Sequence, residues 1–77
     1  MTAGPDVAAI EIRGDMIRLG QLLKLAGIAD SGTEAKMFLA EGVVSVNGRS
    51  EDRRGRQLHD GDVVECGDQA VRVAGGH

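Results

Sequence analysis

Asn47-Gly48, set between Val43-Val44-Ser45-Val46 and Arg49-Ser50, constrains the fold of this chain more than any other feature. Both residues tolerate the positive φ that a type I′ turn demands, so the pair predicts a tight hairpin between two short β-prone runs. The hairpin leads into Arg53-Arg54-Gly55-Arg56-Gln57-Leu58, and Asp60-Gly61-Asp62-Val63-Val64 follows. Four of the nine basic residues, Arg49, Arg53, Arg54 and Arg56, fall in or beside this turn, which is expected to aim them outward together. A concentration of guanidinium groups calls for a localised anionic partner, and phosphate suits the planar fork of arginine.

The remaining elements follow from periodicity. Ala8, Ile10 and Ile12 alternate with Ala9, Glu11 and Arg13 as in a half-buried strand that Gly14-Asp15 ends. Leu19, Leu22, Leu23 and Ala26 recur at helical spacing and predict an amphipathic helix that stops at Gly27, with Arg18, Gln21 and Lys24 on its outer face. Ser31 followed by Glu34 has the form of a capping box and opens a second helix, with Ala35, Phe38 and Leu39 inside, Lys36 outside and Gly42 as terminator. The helical hairpin has too little apolar surface to stand alone, so the strands from Val43 onward must cover it. Leu58 is expected to anchor an irregular or edge segment, and His59-Asp60-Gly61-Asp62 to turn the chain. Val63–Cys66 and Ala70–Val73 then form a second hairpin whose last strand can pair with the first strand of the chain. These elements make an α+β domain, two helices on a small, mostly antiparallel sheet, at residues 7–73, with flexible tails at 1–6 and 74–77.

Composition narrows the functional classes. A chain of 77 residues makes one small domain that buries about 60% of its unfolded surface. No apolar run approaches the ~20 residues of a membrane span, and the N-terminal residues lack the pattern of a secretory signal, so a cytoplasmic protein without membrane contact is expected. The single cysteine, Cys66, and two isolated histidines form no zinc pattern. His59 beside Asp60 and Asp62 reads as a turn rather than as acid-base chemistry, and no glycine-rich phosphate loop is present, so neither catalysis nor a cofactor is expected. The net charge of −3 hides an asymmetry: residues 18–56 carry +2 and the remainder −5. A polyanion site must lie on the middle segment.

The order helix, capped helix, Gly-x-Val-x-Val-Asn-Gly, leucine, Gly-Asp resembles the S4 domain, the small RNA-binding fold also called the alpha-L motif. The resemblance is carried by Arg18-Leu19, Leu22-Leu23, Ser31, Ala35-Lys36, Glu41 to Gly48, and Leu58 to Val64, spanning about residues 17 to 66. Ser31-Gly32-Thr33-Glu34-Ala35-Lys36 and Glu51 to Leu58 are similar to the small stand-alone bacterial proteins of the YbcJ-like branch. Gly20 stands where many members carry aspartate, and Gly32 where many carry arginine. The second departure shifts the expected phosphate contacts toward Lys36 and the arginine cluster.

The resemblance implies a noncatalytic module that binds structured RNA, ribosomal or transfer, with the ribosome as one place to meet it. The RNA-contacting set is expected to be Arg18, Lys24, Lys36, Arg49, Arg53, Arg54 and Arg56, shaped by Ser31, Asn47 and Gly48 as structural residues. Phe38, the only aromatic residue, fits the core stripe, so base stacking has no platform and recognition must use phosphates, 2′-hydroxyls and RNA shape. The chain is expected to act as a monomer. The alternative is a protein-interaction module in which the arginines dock on an acidic partner.

Overall fold

The computed structural model describes residues 7–75; the tail expected at 1–6 and the last two residues of the tail expected at 74–77 lie outside the described residues. The chain runs β1 (Ala8–Glu11), β2 (Ile17–Arg18), α1 (Leu19–Leu25), α2 (Gly32–Glu41), β3 (Val44–Val46), β4 (Arg49–Ser50), β5 (Gln57–Leu58), β6 (Val63–Cys66) and β7 (Gln69–Ala74). Five strands form one sheet in the order β1-β7-β6-β3-β4, and β2 and β5 form a separate two-stranded ladder. All pairings are antiparallel except β1 with β7. This is the α+β arrangement of two helices and a mostly antiparallel sheet that the pattern predicts.

Both helices end in the same way. After α1, the Gly27 amide donates to the Lys24 carbonyl and the Ile28 amide to that of Leu23, both at 3.0 Å. After α2, the Gly42 amide donates to Leu39 at 3.2 Å and the Val43 amide to Phe38 at 3.4 Å. These paired bonds are the Schellman pattern, with a left-handed glycine at each end. At the start of α2, the Glu34 amide donates to Ser31 Oγ at 3.1 Å, and the Glu34 carboxylate reaches back to the Asp30 amide at 2.8 Å. The box therefore closes one residue earlier than in its usual form, on the residue before the cap.

Leu19, Leu22 and Leu23 from α1, Ala35 and Leu39 from α2, and Val44, Val46, Leu58, Val64 and Val73 from the strands form the core. Ile10, Ile12 and Phe38 pack against it half-buried, consistent with the alternation in β1 and the inner stripe of α2. Asn47 and Gly48 both adopt positive φ, 52° and 84°, between the paired Val46 and Arg49, as a type I′ hairpin requires.

The structure departs from the expectations at two places. Arg18 does not lie on the helix: it belongs to β2 and is the cap residue before α1, because Ile17-Arg18 pairs with Leu58-Gln57. Of the two forms expected for the segment around Leu58, irregular or edge, it takes the edge form, a strand of the two-stranded ladder with Leu58 fully buried. Chain order extends past residue 73, since Ala74 completes β7 and the buried Gly75 donates its amide to Asp60 Oδ1 at 3.0 Å.

Leu58 joins the short ladder to the main core, so Leu58→Ala should destabilise the protein by about 3 kcal/mol through lost burial and a residual cavity. Urea unfolding measures this; a loss under about 1 kcal/mol would mean that the ladder is not part of the cooperative core.

Candidate functional site

The segment from Arg53 to Arg56 is attached to the beginning of α1 through its backbone. The Leu19 amide donates to the Arg56 carbonyl at 2.9 Å and the Gly20 amide to the Arg54 carbonyl at 3.0 Å. First-turn helix amides have no partner within their own helix. The arginine segment supplies carbonyls to two of them and continues into the β2–β5 ladder. Gly20 makes the approach possible: a Cβ there would stand 2.5 Å from Arg54 Cγ and 3.2 Å from its Cδ. The stem of Arg54 lies across the space that any larger residue at position 20 would fill.

An open groove of about 420 Å³ results, bounded by Arg18 at the end of β2, Gly20, Gln21 and Lys24 from α1, Gly32 and Ala35 from α2, and Arg54 and Gly55 from the loop. Its charged residues are the three cations; no carboxylate lines it. Among the described residues, none of these three cations has a carboxylate within ion-pair distance. The small residues Gly20, Gly32, Ala35 and Gly55 leave the space between them open, so an anion can approach the backbone closely. Gly32, a departure from the usual S4 pattern, has no heavy atom within 4 Å of a Cβ position and faces this space.

The seven basic residues singled out in the sequence are therefore not one outward-facing cluster. Arg18, Lys24 and Arg54 converge on the groove. Lys36 on α2 and Arg49 on β4 are exposed but do not line it. Arg53 and Arg56 are turned onto Glu51, the only buried charged residue among those described, at 7% exposure. Glu51 Oε2 accepts from Arg53 Nε at 3.1 Å and from the Arg53 amide at 3.0 Å. Its Oε1 accepts from Arg56 at 2.9 Å and from the Arg53 terminal nitrogen at 3.3 Å. Arg53 stays exposed while so paired and Arg56 is partly covered, so the arginines expected to be aimed outward together are divided between Glu51 and the groove.

Those hydrogen bonds hold the Glu51 carboxyl at about 2, against an ordinary 4.5. The Arg53 side chain contributes most, followed by Arg56 and the Arg53 amide, and together they outweigh burial. The Glu51 carboxylate in turn raises the pKa of Arg53.

A second network, which local sequence rules did not indicate, fixes the hairpin tip. Asn47 Nδ2 donates to Asp62 Oδ1 at 3.0 Å, and Asn47 Oδ1 accepts the Val63 amide at 2.9 Å. Asp62 Oδ2 takes the His59 amide at 2.8 Å. Burial works against the Asp62 carboxylate, but the bonds from Asn47 and the His59 amide prevail and lower its pKa. Asp62 thus serves the backbone of the turn, and Asp60 accepts from the Gly75 amide after the last strand. Ser31 caps α2, in keeping with its shaping role.

Comparison with known proteins gives this architecture relatives. Residues 10–74 match the sequence profile of the family described as the S4 domain. Over 56 residues the chain is 55% identical to RlbA of Bacillus subtilis (strain 168), a probable ribosome maturation protein, covering 73% of this chain and 79% of that one. Over 57 residues it is 39% identical to YbcJ of Escherichia coli (strain K12), provisionally described as an RNA-binding protein, covering 74% and 81%. The 30S ribosomal protein S4e from Thermoplasma acidophilum is similar in structure, with a TM-score of 0.59 and 26% identity, over 75% of this chain and 31% of that one. The likeness to the archaeal protein is thus to about one third of a longer chain.

Because folding holds the Glu51 carboxyl below its ordinary pKa, the stabilisation it brings is complete above pH 4.5 and fades as the pH falls toward 2. Glu51→Gln should cost about 2 kcal/mol near neutral pH, and the gap from wild type should close below pH 4.5. Thermal unfolding across that range measures it; a gap independent of pH would show that the carboxylate charge is not what stabilises the loop.

Proposed function

Because this chain belongs to the S4 domain family, we propose that it binds structured RNA, without catalysis, through phosphate contacts made in the groove between α1, α2 and the arginine segment. The observation that carries this reading is the convergence of Arg18, Lys24 and Arg54, unpaired and without an opposing carboxylate, on a chain whose net charge is −3. An acidic protein that gathers cations in one place attracts a polyanion to that place and repels it elsewhere. The relatives support the partner class: one is described as a probable ribosome maturation protein and another, provisionally, as RNA-binding.

Two features favour structured RNA, ribosomal or transfer, over an unpaired sequence. Phe38 is half-buried against the core, which leaves no aromatic platform for base stacking. The groove cations are carried on a helix, a strand end and a loop that backbone hydrogen bonds join, so the spacing of their attachment points is set by the fold. Cations on set attachment points favour phosphates at a matching spacing, which is a property of RNA shape. Lys36 and Arg49 lie outside the groove and would meet only an RNA large enough to extend past it.

With three phosphate contacts, log affinity should fall against log salt with a slope of about −2.7, a loss of about 40-fold between 50 and 200 mM. Fluorescence anisotropy with structured rRNA fragments and tRNA tests this. Lys24→Glu/Arg54→Glu, confirmed folded by circular dichroism, should abolish salt-sensitive binding. Retention of wild-type affinity by that variant would remove the groove from the site, and salt-independent binding would rule out phosphate contact.

A further inference from the structure

We propose that Gln21 is the specificity-determining residue of the groove for RNA over DNA, pairing with a ribose 2′-hydroxyl while the cations meet the phosphates. The inference rests on the RNA-binding reading above and adds to it a contact that phosphate cannot supply. Phosphates are common to both nucleic acids, so Arg18, Lys24 and Arg54 bring strength and salt dependence without telling one from the other. The 2′-hydroxyl is the group that differs.

A 2′-hydroxyl both donates and accepts, so it is read by a partner that can do the same. Guanidinium and ammonium groups donate only. The remaining residues along the groove, apart from Gln21, are glycines and an alanine without a polar side-chain atom. Gln21 is therefore the one side chain lining the groove that carries both a donor and an acceptor. It is exposed, at the third position of α1, with Lys24 three residues on. Residues so spaced are neighbours on a helix surface, about 5–6 Å apart at Cβ, which sets a ribose contact beside a phosphate contact.

The local hydrogen bonding leaves that carboxamide available. The Arg18 amide donates to Gln21 Oε1 at 3.4 Å, the half of a capping box that a glutamine at this position supplies. The bond identifies the oxygen and occupies one of its two lone pairs. The second lone pair and both Nε2 hydrogens remain for a ligand, since among the described residues Nε2 makes no hydrogen bond. Gln21 can thus accept the 2′-hydroxyl proton and donate to an oxygen of the same strand.

The test compares an rRNA-derived hairpin with the same hairpin carrying 2′-fluoro in place of 2′-hydroxyl groups, which keeps the A-form helix and the phosphates. Fluorescence anisotropy reads both with wild type and with Gln21→Met, since methionine matches glutamine in length and lacks its hydrogen-bonding groups. Wild type should bind the hydroxyl hairpin about fivefold more tightly than the fluoro one. Gln21→Met should lose about that factor on the hydroxyl hairpin alone, with the salt slope unchanged because no charge is removed. Equal weakening on both hairpins would mean a merely structural role at the start of α1 and would overturn the inference. So would a preference retained by Gln21→Met, or equal affinity of wild type for the two hairpins, a comparison that needs no variant to fold. Salt-sensitive binding survives each of those results; its absence in wild type would instead overturn the RNA reading itself, and this inference with it.

Discussion

Two backbone hydrogen bonds, from the Leu19 and Gly20 amides to the carbonyls of Arg56 and Arg54, hold this molecule's functional geometry together. They satisfy donors that a helix of seven residues cannot satisfy internally, and in doing so attach a loop distant in sequence to the start of α1. The ladder between Ile17-Arg18 and Gln57-Leu58 extends the attachment, and burial of Leu58 ties it to the core. Helix, strand end and arginine segment are thereby joined through the backbone. Without this connection the cations would be a scattered set on an acidic chain.

Much of the fold could be read from local rules because local chemistry determines it. The positive φ values at Asn47-Gly48, the serine cap of α2 and the glycines after both helices are each demanded by a few consecutive residues. The alternation of β1 and the apolar stripes of the helices likewise reflect a single face meeting a single core. The β2–β5 ladder escaped such reading because two residues per strand carry no periodicity, and its partners lie about forty positions apart. Gly75 escaped it because a glycine just past the last strand is held by the distant Asp60, an interaction no composition rule records.

The candidate site was legible in part. The basic residues, their segment and the family resemblance are present in the sequence, and the chain's place in the S4 domain family agrees with that resemblance. What the sequence could not supply is which charges cancel. Glu51 and Asp52 precede the arginines in the chain, yet adjacency alone leaves open whether a carboxylate is solvated or buried. In the fold Glu51 is covered and hydrogen-bonded to both Arg53 and Arg56. Gly20 leaves the space that the stem of Arg54 crosses.

The pairing of β1 with β7 has a different kind of consequence. It is the parallel ladder of the sheet, and it joins Ala8 to Val71 and Glu11 to Ala74, across nearly the whole described chain. The hairpins β3–β4 and β6–β7 close over two-residue turns and bear little loop entropy, whereas pairing β1 with β7 closes a loop of about sixty residues. In kinetic terms this edge carries the sheet's costliest closure, the kind of long-range contact that slows the folding of a small domain.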